Sequence, residues 1–209
     1  IQKHFSYPVY VEYGANAAGF GTVWRSKELK DAVYVIVTNN GVAGSIILNN
    51  EIYHGRTGRA GAFGHITLNP SGRKCFCGAC GCWSAYNALN ALTGLDETDL
   101  DGFFEKVNNE DPDAIAKWDE YLTYFADGLS TVSMSFDIDI VIGGPLAVYL
   151  EPWLDTIISK MQSRPTLNGE NISIHLDTKS ESPMAEGVAL MIVAKFLNDE
   201  LDNFRFDEL

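Results

Sequence analysis

The sequence predicts an α/β fold: a mixed β-sheet flanked by helices. Three observations carry this. Two β-rich runs separated by a short Asn- and Gly-containing turn, "AVYVIVTNN" and "GSIILNNEIYHG", read as an antiparallel pair. Further on, apolar strand-like runs alternate with helical patterns, "DIVIGG" then "YLEPWLDTIISKM", and "NISIHL" then "PMAEGVALMIVAKFL". A chain of 209 residues, 46 % hydrophobic and 21 % charged, has enough apolar side chains to bury a sizeable core in one medium-sized domain.

Taken in order, "YPVYVEYG" reads as a short strand ending at Gly14, and "ANAAGFGTVWRSKEL" as a helix, being rich in small residues and helix formers. The Gly-rich "GRTGRAGAFGHITL" is expected to return to a strand at His65–Leu68. "WSAYNALNAL" and "DLDGFFEKVN" each read as one helix. "PDAIAKWDEYLTYFADGLSTVSMSF" keeps apolar residues at helical spacing throughout. Its Trp118, Tyr121, Tyr124 and Phe125 fit a core or contact face. Asp99/Asp101 and Glu110/Asp111/Asp113 suit solvated helix starts, where negative charge is favoured. Pro183 falls at the first turn of the last helix. His4, His54 and His175 carry no partner pattern and read as surface or packing residues.

No apolar run reaches the roughly 18–20 residues of a membrane span, and the start lacks a signal-peptide pattern, so a soluble, cytoplasmic protein with no membrane partner is expected. The formal charge of −13 argues against nucleic-acid contact by these residues, because phosphate binding needs clustered Lys and Arg.

All four cysteines crowd into "GHITLNPSGRKCFCGACGCW", as His65-x9-Cys75-x-Cys77-x2-Cys80-x-Cys82. A Cys-x-Cys pair closes poorly into a disulfide, and cytosolic chains rarely keep disulfides. Thiolates with an imidazole suit tetrahedral zinc. Three Cys and one His close the shell, leaving no position for a catalytic water. Residue type alone leaves a four-thiolate site open as well.

The stretch "GRAGAFGHITLNPSGRKCFCGACGCW" resembles the signature of the ROK family (repressors, open reading frames and sugar kinases), roughly G-x-A-G-E-x-G-H followed by C-x-C-G-x-x-G-C-x-E. "PVYVEYGANAAGFGT", "VYVIVTNNGVAGSIILNNEIYHG", "FDIDIVIGGP" and "MAEGVALM" resemble further family motifs in the same order. The resemblance implies the C-terminal lobe of an actin-like, ribonuclease-H-like ATPase fold over residues 1–209. The N-terminal lobe with its D-x-G-x-T loop, and any helix-turn-helix, would lie outside them. It implies zinc on His65, Cys75, Cys77 and Cys82, with Cys80 spare.

The same resemblance places the family's general base at Gly14 and a sugar-contact asparagine at Tyr13. Its two sugar-binding glutamates fall at Ala62 and Ser84, and His65 alone is retained among the sugar contacts. Glu12 is two residues before Gly14, about 6–7 Å along a strand, whereas a base needs hydrogen-bond reach of about 3 Å. The phosphate hairpin keeps Gly41 and Gly44 but carries Asn39, Asn40, Ala43 and Ser45. Gly143 and Gly144 mark the turn near the nucleotide. Phosphate cradling needs several glycines, so the erosion argues against ATP binding. The implied function is effector sensing and oligomerisation in a ROK-type transcriptional regulator of carbohydrate metabolism. Such a protein would be a homodimer or higher oligomer, take a small carbohydrate effector, and reach DNA only through a domain outside this chain. The alternative is an ATP-dependent sugar kinase.

Overall fold

The computed structural model describes residues 2–4, 6, 9–94, 99–167, 171–180 and 182–203. Among these, five strands form one sheet in the order β3-β2-β1-β4-β5, with β1 Ala32–Thr38, β2 Gly41–Leu48, β3 Glu51–Ile52, β4 Asp139–Gly143 and β5 Ile174–Asp177. The predicted hairpin is present: β1 and β2 are antiparallel, pairing Thr38 with Gly41 and Ala32 with Ile47. β1 also pairs in parallel with β4, and β4 with β5. The sheet is therefore mixed, as expected.

β1 is central and buried on both faces, which is why it reads as a nearly unbroken apolar run. Its side chains alternate with period two. Val33, Val35 and Val37 enter one core with Ile140 and Ile142, while Ala32, Tyr34 and Ile36 enter the other with Val141. The first core is covered by α4 Leu100–Asn108, α5 Pro112–Phe136 and α7 Leu154–Gln162. The second lies under α1 Gly14–Arg25, on which α8 Pro183–Asn203 packs. This is a helix–sheet–helix sandwich.

α5 runs over the residues its periodicity marks. Asp111 caps it, accepting from the Ala114 N–H at 2.9 Å; Pro112 sits in the first turn, and Asp137 ends it at φ 51°. Asp99 likewise caps α4, accepting from the Gly102 N–H. Trp118, Tyr121 and Phe125 are buried in the first core, and Tyr124 stacks on Tyr86 with centroids 3.8 Å apart.

Four readings are corrected. Residues 9–13 form no strand: Val11 is 88 % exposed, no sheet edge pairs with them, and Gly14 opens α1 instead. Tyr7 and Pro8 of that run lie outside the described residues. His65–Leu68 is not a strand, because Phe63–His65 makes a 3-10 turn and only Thr67 bridges, to Cys82. "WSAYNALNAL" splits into α2 Ser84–Asn87 and α3 Asn90–Thr93. The Leu89 N–H bonds to the Thr38 carbonyl and leaves the helical ladder at the break. The segment before α7 likewise divides into α6 Ala147–Leu150 and a 3-10 turn Glu151–Trp153, with Pro152 inside the turn.

Gly128 shows how α5 accommodates the cysteine-rich loop. A Cβ there would lie 2.0 Å from the Trp83 indole, which is fully buried. In an ordinary helix Gly→Ala gains up to about 1 kcal/mol. Gly128→Ala is instead expected to cost about 1–3 kcal/mol by overpacking, read as a lower denaturation midpoint. A stabilised variant would refute this packing.

Candidate metal centre and neighbouring loop positions

The metal candidate is built from a turn and a small irregular hairpin. His65 closes the 3-10 turn. The chain doubles back from Leu68 to Cys82, pinned by Leu68 N–H to Gly81 O and Gly81 N–H to Arg73 O, both 2.8 Å. Cys75 N–H donates to Ala79 O, and Gly78 and Gly81 take φ of 93° and 79°, conformations that favour glycine. These turns bring together one atom each from His65, Cys75, Cys77 and Cys82, all within 4.8 Å of one another.

The spacing fits the ion. Tetrahedral zinc with Zn–S near 2.3 Å and Zn–N near 2.0 Å needs ligand atoms about 3.5–3.8 Å apart. Cys77 Sγ lies 3.7 Å from Cys82 Sγ, and Cys75 Sγ lies 3.9 Å from His65 Nδ1. All four cysteines are free thiols. Cys80 is exposed, pairs through its backbone with Lys74, and falls outside the group. These four residues are suited to hold a zinc ion in a closed shell, supplying a cross-link and no open position for chemistry.

Burial of Cys82 pushes its thiol up to about 12, with the neighbouring thiols Cys77 and Cys75 adding to it. The Ala79 backbone, followed by Cys75, lowers Cys77. The loop is tied to the body at three places. Trp83, next to Cys82, is buried against Phe125. Arg73 makes a paired contact to Glu120 of α5 at 2.8 and 2.9 Å. Asn87 and Tyr121 exchange hydrogen bonds through each other's backbone carbonyls, at 2.8 and 2.9 Å.

The positions that resemble sugar contacts have other occupations. Ala62 precedes the 3-10 turn and offers no polar side chain; the His65 N–H bonds to its carbonyl. Ser84 is buried, and its Oγ accepts from Val42 N–H at 3.0 Å. Gly41 and Gly64 close around Ser84, since a Cβ on either would lie 2.7 or 2.2 Å from its Oγ. Gly44 packs under Phe63 and Gly61. At Gly14, an added Cβ would meet Met184 Sδ at 2.7 Å, so the start of α8 fills the space above it. Tyr13 is half exposed at the cap of α1. Gly143 lies against the Tyr34 hydroxyl, and Gly144, at φ 84°, borders a cleft.

Several residues of this region have partners that the sequence did not indicate. Glu12 is fully engaged: one oxygen accepts from the Tyr13 N–H and Asn16 Nδ2, and the other lies 2.8 Å from His54 Nε2. Burial alone would raise its carboxyl, but the bonds from His54, Asn16 and Tyr13 outweigh that and hold it below the ordinary carboxylate range. His54 is thus paired, as is His175, with Ser173 and Asp139. Asp177, at the end of β5, is buried and bonded to Thr22 and Arg25 of α1; Arg25 also reaches Glu186 of α8. The pairings of Glu12 with His54 and of Asp177 with Thr22 and Arg25 join residues distant in sequence. Among the described residues, no helix is long and apolar enough to cross a membrane.

The chain is 34 % identical over 79 residues to a xylose repressor of Bacillus subtilis (strain 168), covering 37 % of this chain and 21 % of the repressor. It is 29 % identical over 175 residues to an N-acetylmannosamine kinase of Haemophilus influenzae (strain PittEE), covering 80 % of this chain and 58 % of the kinase. A ROK family glucokinase from Streptomyces griseus, solved with glucose and AMPPNP, superposes with a TM-score of 0.76 at 25 % identity, over 91 % of this chain and 70 % of that one. The chain thus spans only part of the length of these relatives, which include both repressors and kinases. The family model described as ROK family matches residues 1–188, and the chain belongs to that family.

Proposed function

We propose that this chain is the effector-sensing and oligomerisation part of a ROK-family transcriptional regulator of carbohydrate metabolism, in which kinase chemistry has been lost. The observation that carries the reading is at position 14. Gly14 has no proton acceptor where the family resemblance puts the general base, and Met184 Sδ stands 2.7 Å from where a Cβ would be. A side chain at this position would have to move the Met184 thioether, which now fills the space. Ala62 has no carboxylate to offer a sugar, and Ser84 spends its hydroxyl on Val42.

On this reading residues 1–209 form one C-terminal lobe, and zinc on His65, Cys75, Cys77 and Cys82 is structural. The protein works in the cytoplasm as a homodimer or larger assembly, senses a small carbohydrate, and contacts DNA through a domain outside these residues. The alignment over 80 % of the chain with an N-acetylmannosamine kinase favours the second reading, a sugar kinase. A coupled assay of sugar-dependent ATP turnover on the full-length protein separates them. Loss of a general base alone removes about 10²–10⁴ in rate, so turnover is expected at background for hexoses, N-acetylhexosamines and xylose. Turnover at ordinary kinase rates would overturn the regulator reading.

A further inference from the structure

The cysteine hairpin carries a thiol that the metal group does not use. Cys80 is exposed and falls outside the set formed by His65, Cys75, Cys77 and Cys82. Among the thiols of that set, Cys75 and Cys82 are buried, at 4 % and 1 % exposure, whereas Cys77 is exposed like Cys80. Solvent therefore reaches two sulfurs in Cys77-Gly78-Ala79-Cys80, one a ligand candidate and the other not. Oxidants select accessible thiols, and a sulfenic acid with a second thiol close by condenses to a disulfide.

The chain between them can close such a bond. Three residues span at most about 10 Å, and a disulfide needs Cα atoms about 4.4–6.8 Å apart, so the hairpin tip must tighten. Gly78 has φ 93°, a Cβ there would meet nothing within 4 Å, and Ala79 is exposed. The bonds that must yield are Gly78 N–H to Cys75 O at 3.0 Å and Cys75 N–H to Ala79 O at 2.8 Å. Cys82 competes for Cys77, with the sulfurs 3.7 Å apart, but its burial keeps an oxidant from it. We propose that Cys77 and Cys80 are a peroxide-sensitive dithiol, and that joining them withdraws one ligand from the metal group. The Cys80 sulfur attacks one oxygen of hydrogen peroxide: an S–O bond forms, the O–O bond breaks, and the thiol proton leaves with the second oxygen as water. The Cys77 thiolate then attacks the Cys80 sulfur; the S–S bond forms, the S–O bond breaks and hydroxide departs. The two sulfurs lose two electrons, which the peroxide gains. His65, Cys75 and Cys82 remain, and a structural zinc shell that needs a further donor is left open. The loss of zinc rests on the structural-zinc reading, whereas formation of the bond does not.

The zinc content of the intact protein is measured first. A chain that binds none refutes the metal reading and the ligand withdrawal, and the bond is then decided by mass and alkylation alone. One equivalent of hydrogen peroxide is expected to remove two hydrogen masses, to protect Cys77 and Cys80 alone from alkylation, and to release zinc. Dithiothreitol is expected to restore both thiols and zinc binding. Cys80→Ser changes an exposed side chain and should keep the thermal midpoint. Its zinc release at the same peroxide concentration is expected to be at least about tenfold slower. A bond joining Cys77 to Cys82 would overturn the proposal, as would oxidation of Cys80 that stops at the sulfenic or sulfinic acid. Zinc release from Cys80→Ser at the wild-type rate would equally overturn it.

Discussion

With the proposed structural zinc on His65, Cys75, Cys77 and Cys82, stripping the metal from the intact protein is expected to release the amides of the Gly61–Trp83 segment to exchange, most clearly Leu68, Cys75, Gly81 and Trp83, whose hydrogen bonds define the hairpin. Between Asn69 and Cys82 the segment has little apolar burial of its own. Phe76 is 75 % exposed, and Cys75 and Cys82 are its main buried side chains between Leu68 and Trp83. Structural zinc contributes about 10–16 kcal/mol in zinc-finger peptides, far more than the few hydrogen bonds holding this loop. The effect should stop near Trp83, because that indole is buried against Phe125 and Gly128 independently of the metal.

Cys82→Ser should reproduce the loss of protection and reduce bound zinc, while Cys80→Ser should keep one zinc per chain. The sign of the pH dependence follows from Cys82. Its thiol is protonated in the metal-free fold, held up at about 12 by burial, so zinc must displace that proton. Apparent zinc affinity should therefore strengthen as pH rises through neutrality and weaken as it falls. Unchanged exchange and thermal midpoint after complete metal removal would show that the loop is self-supporting.

The second large effect is expected at Gly187. α8 crosses α1 at glycine: a Cβ on Gly187 would lie 1.8 Å from the Ala17 carbonyl oxygen, and one on Gly21 would lie 2.9 Å from Gly187 Cα. Both obstacles are backbone, which cannot swing away as a side-chain tip can. Gly187→Ala improves helix propensity by up to about 1 kcal/mol. It is nonetheless expected to lower stability by about 3 kcal/mol, the upper end of overpacking costs. Chemical denaturation reads the effect; wild-type stability in Gly187→Ala would contradict the close crossing.

The parts of the fold legible in the sequence were those governed by local periodicity or by a run of one burial type. β1 and β4 read as apolar strands because they are buried on both faces. α5 was legible to the residue because Asp111, Pro112 and 25 residues of helical spacing agree. The reading failed where a local pattern did not join the sheet. "PVYVEY" alternates like a strand, yet residues 9–13 belong to none of the five strands and lead into α1. "GHITL" has strand composition, but its neighbours are drawn into the cysteine hairpin, which leaves it a single bridge, Thr67 to Cys82, and no ladder.

The cysteine spacing alone favoured a thiolate metal site over disulfides. The choice of His65 over Cys80 as fourth partner follows from the turns at Gly78 and Gly81, which send Cys80 outward. The absence of a carboxylate at position 14 is likewise written in the sequence. What Met184 does above Gly14, and that a cleft lies beside it, depend on α8 packing on α1 through glycines some 170 residues apart. Sequence determines which groups are present and their local conformational preferences. Which of them meet, and which charges remain unpartnered, is decided only when the long-range packing closes.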